Sequence, residues 1–180
     1  MKLLKFNYLI KFFLLGLFVT TFNACQSDEI VTNSDIVTLQ EISSDKEDSY
    51  SARYTSSFLP THENCGGHTI ERHIEKSDSY LRNRLNNSNI SAASTFYNFN
   101  QAGQIIYNTI YYYNNNYNRV NDWLNSSSTS YLVLYYTHYK VLGKVMNRNY
   151  STFESKSIKV VLAKSNCSSY PFRIVTAYPY

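Results

Sequence analysis

The sequence has only three cysteines, and no C-x-x-C pair occurs among them. Cys65, His62 and His68 lie close enough in sequence to begin a metal site. No second thiol and no close pair of carboxylates completes such a ligand set, so a structural zinc is not expected. We therefore expect no metal and no other cofactor. The cysteine count also argues against a thiol protease, because each cysteine has another expected use.

A hydrophobic run long enough for a stable membrane span is also missing. The N-terminal apolar stretch Leu9–Phe22 is interrupted by Lys11 and is short for such a span. Two lysines precede it, and the stretch ends in small residues. This arrangement is typical of a secretory signal, and we predict a signal peptide over residues 1–24.

Cys25 directly follows Ala24, and a cysteine after a small residue at this place resembles a lipobox. The match is loose, because Phe22 stands where an aliphatic residue is usual. It predicts that Cys25 is lipidated and anchors the chain to the outer membrane. The alternatives are ordinary signal-peptidase cleavage and a retained anchor. The acidic residues 26–29 are either an export tag of cell-surface lipoproteins or a hydrophilic linker, so the chain is expected to be surface-exposed or secreted.

The net charge of +4 is unevenly distributed along the chain. Residues 26–53 carry seven acidic side chains against two basic ones. Such a segment has too little apolar surface to offset its ordering entropy, so we predict a flexible acidic tether over residues 25–54. Residues 54–180 carry twelve basic side chains against six acidic ones. A moderately basic globular part suits a polyanionic partner.

Aromatic residues are abundant, with 18 tyrosines and 10 phenylalanines. Tyrosine, phenylalanine, asparagine, isoleucine and lysine all have AT-rich codons, so a genomic bias is one explanation. Functional aromatic stacking is the other.

Hydrophobic periodicity divides residues 55–180, the predicted globular domain, into helices followed by strands. Helices are predicted at 69–76, 77–85, 100–113 and 117–124, and strands at 131–139, 141–146, 157–163 and 171–178. The stretch 90–97 fits a short strand or a loop. Short connections favour antiparallel neighbours. The predicted class is α+β, with N-terminal helices packed on one twisted antiparallel sheet of about four strands.

Three of the four histidines lie between residues 62 and 73. His68 and His73 are five residues apart, and this gap does not place both on one face of a continuous helix. Either one is active and the other structural, or the two meet across a turn. His138, within an aromatic strand, is interpreted as structural. In an oxidising exterior Cys65 and Cys167 favour a disulfide, and the alternative is two free thiols.

Several motifs, taken in order, resemble the bacterial ribonuclease A-like domain found at the C-termini of contact-dependent inhibition toxins and other polymorphic toxins. The resemblance covers roughly residues 59–180, and the Gly-Gly-His…Arg-His opening together with the Thr-Ala-Tyr-Pro ending is specific. The matching stretches are GGHTIERHIEKSDSYLRNRL (Gly66–Leu85), AASTF (Ala92–Phe96), QAGQIIYNTI (Gln101–Ile110), IKVVL (Ile158–Leu162) and TAYP (Thr176–Pro179).

The resemblance implies RNA cleavage without a metal ion. It implies four catalytic positions, which are His73, Arg84, Thr176 and Tyr178 in this sequence. His68 also matches the pattern and is a further candidate of undecided role. The sequence departs from the family pattern at one place, where a glutamate follows Arg-His-Ile in a position that usually holds glycine.

These residue types suit cleavage that uses the RNA's own 2′-hydroxyl as nucleophile. A histidine can take or give the proton, and an arginine can place a planar fork on the phosphate. Thr176 and Tyr178 are two residues apart, so on a strand both face one side. Threonine can hydrogen-bond a phosphate oxygen or a base edge, and tyrosine can donate a hydrogen bond or stack on a base. The expected partners are RNA, a cognate immunity protein by analogy with toxins, and the membrane through Cys25.

Two other functions remain open from the sequence alone. One is a non-catalytic surface lipoprotein that binds nucleic acid or glycan. The other is a structural lipoprotein in which the histidines serve packing.

Overall fold

The structure, a computed structural model, describes residues 54–180. The predicted signal peptide, the lipidation site at Cys25 and the tether up to residue 53 lie outside the described residues, so they stay predictions. Across residues 54–180, no helix has the length and apolar character needed to cross a membrane.

The described part contains five α-helices and six strands. In chain order they are α1 (Phe58–Asn64), α2 (Thr69–His73), α3 (Asp78–Asn87), β1 (Ala92–Phe96), α4 (Phe99–Tyr111), α5 (Asn116–Asn125), β2 (Leu132–Thr137), β3 (Gly143–Asn147), β4 (Thr152–Ser155), β5 (Ser157–Cys167) and β6 (Tyr170–Pro179). Most helices precede most strands, and the predicted α+β class is confirmed.

The strands form two antiparallel sheets of three strands each, in the orders β1-β3-β4 and β2-β5-β6. The expected single sheet of about four strands therefore differs from the structure in strand number and division. The stretch 90–97, for which the sequence allowed either a short strand or a loop, contains β1, which pairs with β3. The polar four-residue strand β4 (TFES) was not predicted, because it is too short to show an alternating pattern.

Helix α2 ends three residues earlier than its apolar spacing predicts. Ile74 is extended and forms a parallel bridge with Phe96, and the Glu75 N–H donates to the Phe96 carbonyl oxygen over 2.9 Å. Pairing with β1 therefore overrides the local helical pattern. The asparagine run ends α4 as predicted, because Asn114 and Asn115 adopt left-handed φ values of 53° and 55°. Asparagine tolerates this conformation better than most residues.

The main hydrophobic core lies between α4 and the β2-β5-β6 sheet. Ile106 and Ile110 of α4 are fully buried there, as are Leu134, Val160 and Leu162 of the sheet. A second, smaller cluster holds α3 against the other sheet, and its buried members are Leu81, Leu85, Ala93 and Met146. This second cluster fixes the orientation of α3, the helix that carries Arg84.

The structure contains a disulfide between Cys65, which follows α1, and Cys167, which ends β5. The two Cα atoms are 5.7 Å apart, and the cysteines are separated by 102 residues in sequence. A bond that closes so long a loop restricts the unfolded chain strongly. It also fastens α1 to the hairpin formed by β5 and β6.

Removing this disulfide is expected to lower the free energy of unfolding by about 3–5 kcal/mol, because the unfolded chain regains its loop entropy. The measurement is urea-induced unfolding of the oxidised protein and of the double variant C65S/C167S. A reducing agent should destabilise the wild type and leave the double variant unchanged. Equal stability of the two proteins under oxidising conditions would contradict this expectation.

Candidate active site

The Gly66-Gly67 turn brings the chain to the edge of β6. Gly66 has a φ of 88°, which glycine adopts without strain. A Cβ atom at Gly67 would lie 2.5 Å from the Ile174 carbonyl oxygen and 2.8 Å from that of His62. Only a glycine at position 67 allows so close an approach. The two glycines thus deliver the following helix, α2, to β6.

Two hydrogen bonds fix the start of α2 along β6. The His68 N–H donates to the Val175 carbonyl oxygen over 3.1 Å, and the Ala177 N–H donates to the Thr69 hydroxyl over 2.9 Å. These bonds lie on either side of Thr176 in the sequence. The N-terminus of the helix and the strand that carries two predicted site residues are therefore held together.

Glu63 completes the N-terminus of α2, and the sequence reasoning did not identify it. Its carboxylate accepts from the Ile70 N–H over 3.0 Å and from the Glu71 N–H over 2.8 Å. The first N–H groups of a helix need outside acceptors, and His68 at the N-cap supplies none from its side chain. The sequence held one indication of this role. The short helix α2 has no capping side chain of its own, so it needs an acceptor from another segment.

His73 ends α2 in a buried position and is only 6% exposed. Its Nδ1 atom lies 3.0 Å from the Ser94 carbonyl oxygen. A carbonyl oxygen only accepts, so Nδ1 carries the proton and Nε2 holds the free lone pair. The imidazole stacks on the Tyr178 ring, with centroids 5.0 Å apart and planes 25° from parallel. The ring is thereby fixed in both tautomer and orientation.

The electrostatic surroundings keep His73 neutral. Burial lowers the pKa of His73 from 6.5 to about 3, and the positive charge of Arg84 acts in the same direction. The hydrogen bond to Ser94 opposes these effects without overcoming them. A neutral imidazole with its lone pair on Nε2 is in the protonation state that a general base needs at neutral pH. A pKa of about 3 makes it a weak base on its own, and the negative charge of a bound phosphate would raise that pKa.

Arg84 reaches this region from α3. Its Nη1 atom donates to the Arg72 carbonyl oxygen over 3.3 Å, which ties α3 to the last turn of α2. The neighbouring helix positions Leu81 and Leu85 are fully buried, and they anchor the helix that carries the arginine. The half-buried guanidinium is close enough to His73 to lower the pKa of the imidazole. A fixed positive charge therefore lies beside a neutral base.

Thr176 and Tyr178 both lie on β6, as predicted. The Thr176 hydroxyl oxygen is buried and has no hydrogen-bond partner among the described residues. Buried polar atoms are seldom left unpaired, so the missing partner is unusual. The oxygen has almost no exposed surface, so a ligand would reach it only after neighbouring side chains move. The Tyr178 ring covers one face of the His73 imidazole by stacking on it.

The three clustered histidines occupy different environments. His68 is half-buried, and burial together with Arg72 lowers its pKa. It lies close enough to His73 to act on the pKa of that residue, but no contact assigns it a role. His62 faces the core, where it stacks on Phe172 at 5.6 Å.

His62 is thus separated from the site. Its Nδ1 atom accepts from the Ile174 N–H over 3.4 Å and lies 3.7 Å from the sulfur of Cys167. Burial lowers the pKa of His62 from 6.5 to about 4. His138 is also buried, at 6% exposure, and its interpretation as structural stays a prediction.

Lys159 on β5 is a site neighbour that the sequence reasoning missed. It pairs with Tyr178 across the β5–β6 ladder, and its ammonium lies 6.0 Å from the centre of the Tyr178 ring. In the sequence, the one indication of its role is that Lys159 is a charged residue between the apolar residues Ile158 and Val160. Strand alternation places such a residue on the face opposite the core.

Glu75, at the position where the family pattern has glycine, adopts a left-handed φ of 55°. Glycine is favoured in this conformation, which explains the family pattern in physical terms. In this chain the Glu75 carboxylate accepts from the Phe99 N–H over 3.0 Å at the start of α4. The acidic side chain is therefore engaged with a helix terminus, and its hydrogen bond offsets part of the backbone strain.

The lowered pKa of His62 predicts a loss of stability in acid. Above pH 6.5 the folded and unfolded chains both hold this imidazole neutral, so its contribution to stability is fully present. As the pH falls from 6.5 to about 4, the unfolded chain takes up a proton that the folded chain does not. The free energy of unfolding should fall by about 3 kcal/mol from this group over that range.

Urea unfolding between pH 7 and pH 4 measures this effect. The comparison is with a His62→Phe variant, which keeps a ring against Phe172 and cannot be protonated. The variant should lose less stability over the same range than the wild type. An equal acid dependence of the two proteins would contradict the assignment of His62 as a buried neutral group.

Within residues 54–180, no group of three or more histidine, cysteine, aspartate or glutamate side chains is arranged to hold a metal ion. The site as it stands offers a neutral imidazole, a guanidinium, an unpaired hydroxyl and a phenol at one edge of a sheet. The fold and site together define an α+β domain with groups suited to a phosphate ester.

Comparison with known proteins identifies the family. The sequence model of the bacterial CdiA-CT RNAse A domain matches residues 67–179, and the chain belongs to this family. Membership supports a ribonuclease. The matched span includes His68, His73, Arg84, Thr176 and Tyr178.

One solved structure supports the fold independently. The crystal structure of a CdiA-CT/CdiI complex from Y. kristensenii aligns with a TM-score of 0.57 and 24% sequence identity. The alignment covers 63% of this chain and 99% of the other. At this identity the likeness shows a shared fold. No curated protein matches the sequence.

Proposed function

We propose that this protein is a metal-independent endoribonuclease that cleaves RNA by attack of the 2′-hydroxyl on the adjacent phosphate. The observation that carries the proposal is the state of His73. It is held neutral, with Nδ1 bound to the Ser94 carbonyl and Nε2 free to accept a proton, beside the positive charge of Arg84. Such a pair can deprotonate a hydroxyl and neutralise charge on the phosphate that it attacks.

In the proposed reaction, Nε2 of His73 takes the proton of the 2′-hydroxyl. The 2′ oxygen forms a bond to phosphorus while the bond to the 5′ oxygen breaks. The products are a 2′,3′-cyclic phosphate and a 5′-hydroxyl end. The leaving oxygen takes up a proton from solvent, and His73 returns its proton to solvent, so the proton balance closes.

The other site residues act on the phosphate and its neighbours. The guanidinium of Arg84 binds the non-bridging oxygens, where charge develops in the transition state. The unpaired hydroxyl of Thr176 hydrogen-bonds a phosphate oxygen or a base edge. Tyr178 holds the imidazole by stacking. Its hydroxyl accepts a hydrogen bond from Lys159 and still has a proton to donate to the substrate.

We further propose a toxin role between bacteria, with delivery from a lipid anchor at Cys25 on the outer membrane. A metal-independent ribonuclease endangers the cell that makes it, so a neutralising partner is expected. The solved relative of this fold was crystallised as a CdiA-CT/CdiI complex, which supports a cognate immunity protein here.

The test is incubation of the purified protein with a single-stranded RNA at neutral pH, with and without EDTA. A DNA of the same sequence serves as the matched control, because it lacks the 2′-hydroxyl. We expect the RNA to be cleaved equally with and without chelator and the DNA to remain intact. Loss of cleavage in EDTA, or cleavage of the DNA, would overturn the proposed mechanism. Binding of RNA without cleavage would instead support a binding protein.

A further inference from the structure

The solvent-facing side of the β2-β5-β6 sheet continues directly from the proposed site. Strand alternation places Tyr178 of β6 on the same face as Tyr180, which follows the strand and donates its N–H to the Ser157 carbonyl oxygen of β5. Lys159 of β5 lies opposite Tyr178, and Tyr135 of β2 lies opposite Lys159. The residues that share this face are Val133, Tyr135, Thr137, Ser157, Lys159, Val161, Thr176, Tyr178 and Tyr180, and none of them is acidic.

Lys159 lies between two aromatic rings on this face. Its ammonium is 6.0 Å from the centre of the Tyr178 ring and 5.8 Å from that of Tyr135. The Tyr135 ring in turn meets Tyr180 edge to face, with centroids 5.5 Å apart. Because Lys159 also hydrogen-bonds the hydroxyls of Tyr178 and Tyr135, the positive charge lies at the hydroxyl edges of these two rings. The Tyr178 ring is the one that stacks on His73.

The outer part of this aromatic surface is open to solvent. Tyr135 is 47% exposed and Tyr180 is 46% exposed. Large aromatic side chains in such positions have not been used to build the core. Aromatic faces beside a cation are the usual means by which proteins hold single-stranded nucleic acid.

The charge of Lys159 is retained and is not neutralised by an acid. Burial disfavours the ammonium, but the phenols of Tyr178 and Tyr135 outweigh burial and raise the pKa of Lys159 above its usual value. Among the described side chains, Lys159 forms no ion pair with a carboxylate. The ammonium also hydrogen-bonds the hydroxyls of Tyr178 and Tyr135. Because an ammonium has three donors, one remains for an anion.

We propose that Lys159, Tyr135 and Tyr180 form a subsite for the nucleotide adjacent to the one that reacts. In this subsite Lys159 binds the backbone phosphate and Tyr135 stacks on the base, supported by Tyr180. Tyr178 and Tyr135 are two strands apart, which is about 10 Å and leaves room for a separate base. The inference rests on the proposed ribonuclease function, because only that function identifies the polyanion bound on this face as single-stranded RNA.

Binding of a fluorescent single-stranded DNA hexamer tests the subsite on the intact protein. This probe has bases and phosphates but lacks the 2′-hydroxyl, so it reports binding in the absence of cleavage. Tyr135→Ala should weaken binding about tenfold, because a stacked base is lost. Lys159→Gln should weaken binding and reduce the slope of log Kd against log salt by about one.

Matched controls lie outside this face. Tyr117→Ala removes an equally exposed tyrosine from α5, and Lys164→Gln removes a lysine of the same strand that contacts Trp123 and Ser126. Both controls should bind within twofold of the wild type. Circular dichroism shows whether each variant keeps its fold. Wild-type affinity in both Tyr135→Ala and Lys159→Gln, or equal losses in the controls, would overturn the subsite.

An RNA hexamer separates failure of the subsite from failure of the proposed function. If the subsite is correct, Tyr135→Ala should raise KM about tenfold and leave kcat nearly unchanged, because the altered group lies outside the reacting centre. Normal cleavage with an unchanged KM would overturn the subsite and leave the ribonuclease intact. Absence of cleavage by the wild type would overturn the proposed function, whereas selective loss of DNA binding in the variants would still support the subsite.

Discussion

Replacing His73 with glutamine is expected to lower kcat/KM for RNA cleavage by roughly 10²–10⁴-fold, because the reaction loses its general base. A neutral imidazole with Nε2 free is the one group of the site that is arranged to accept the 2′ proton. The measurement is initial cleavage rate on a fluorescent RNA at neutral pH. His73→Ala should show a loss of the same size.

Glutamine makes the result interpretable, because its amide can still donate to the Ser94 carbonyl and fill much of the imidazole's space. Far-UV circular dichroism and the midpoint of thermal unfolding should show that the variant folds. Cleavage at the wild-type rate by a folded His73→Gln protein would remove His73 from the mechanism. The same pair of measurements on His68→Ala determines whether that second histidine contributes.

Replacing Arg84 with methionine is expected to lower kcat by about 10²–10³-fold, because charge that develops on the phosphate oxygens is no longer neutralised. Methionine keeps the apolar stem that packs along α3. Arg84→Lys should recover only part of the activity, since an ammonium cannot present the planar fork of a guanidinium. The loss should appear mainly in kcat, because the interaction strengthens in the transition state.

Arg82 provides the matched control on the same helix. It is exposed and lies over the Tyr150 ring at 5.0 Å, and it has no contact with His73 or Tyr178 among those described. Arg82→Met removes the same charge from the same element and should keep kcat within about twofold. Equal losses in Arg82→Met and Arg84→Met would show a general effect of net charge and would contradict a specific role for Arg84.

Elements with a clear local pattern could be predicted from the sequence. The apolar spacing of α4 and the alternating patterns of β5 and β6 appear in the structure where they were expected. Helix α1 and strand β4 were missed because each is short and its packing depends on distant segments. The division into two sheets follows from pairing between strands distant in sequence, which local periodicity does not encode.

The site was only partly predictable, for the same reason. Residue spacing left open which histidine is active, and the family resemblance selected His73. The physical distinction is tertiary, because His62 is buried against Phe172 whereas His73 is stacked on Tyr178 from the far end of the chain. Glu63 could not be predicted as part of the site, because it belongs to no recognised sequence motif.

Lys159 was missed for a related reason. Its significance depends on which strands lie beside β5, and the sequence does not state that Tyr178 and Tyr135 flank it. The glutamate at position 75 shows the opposite case. The comparison with the family pattern identified Glu75 as unusual. The structure is needed to explain how a glutamate is accommodated there, through its backbone conformation and its hydrogen bond to α4.

The central claim is that His73 activates the RNA's own hydroxyl, and the chemistry of the cleaved ends tests it most directly. Cleavage of a short RNA in EDTA, followed by mass spectrometry of the fragments, distinguishes the mechanisms. Attack by the 2′-hydroxyl predicts fragments that end in a 2′,3′-cyclic phosphate and partner fragments that begin with a 5′-hydroxyl. Fragments with a 3′-hydroxyl and a 5′-phosphate, or no cleavage in EDTA, would contradict it.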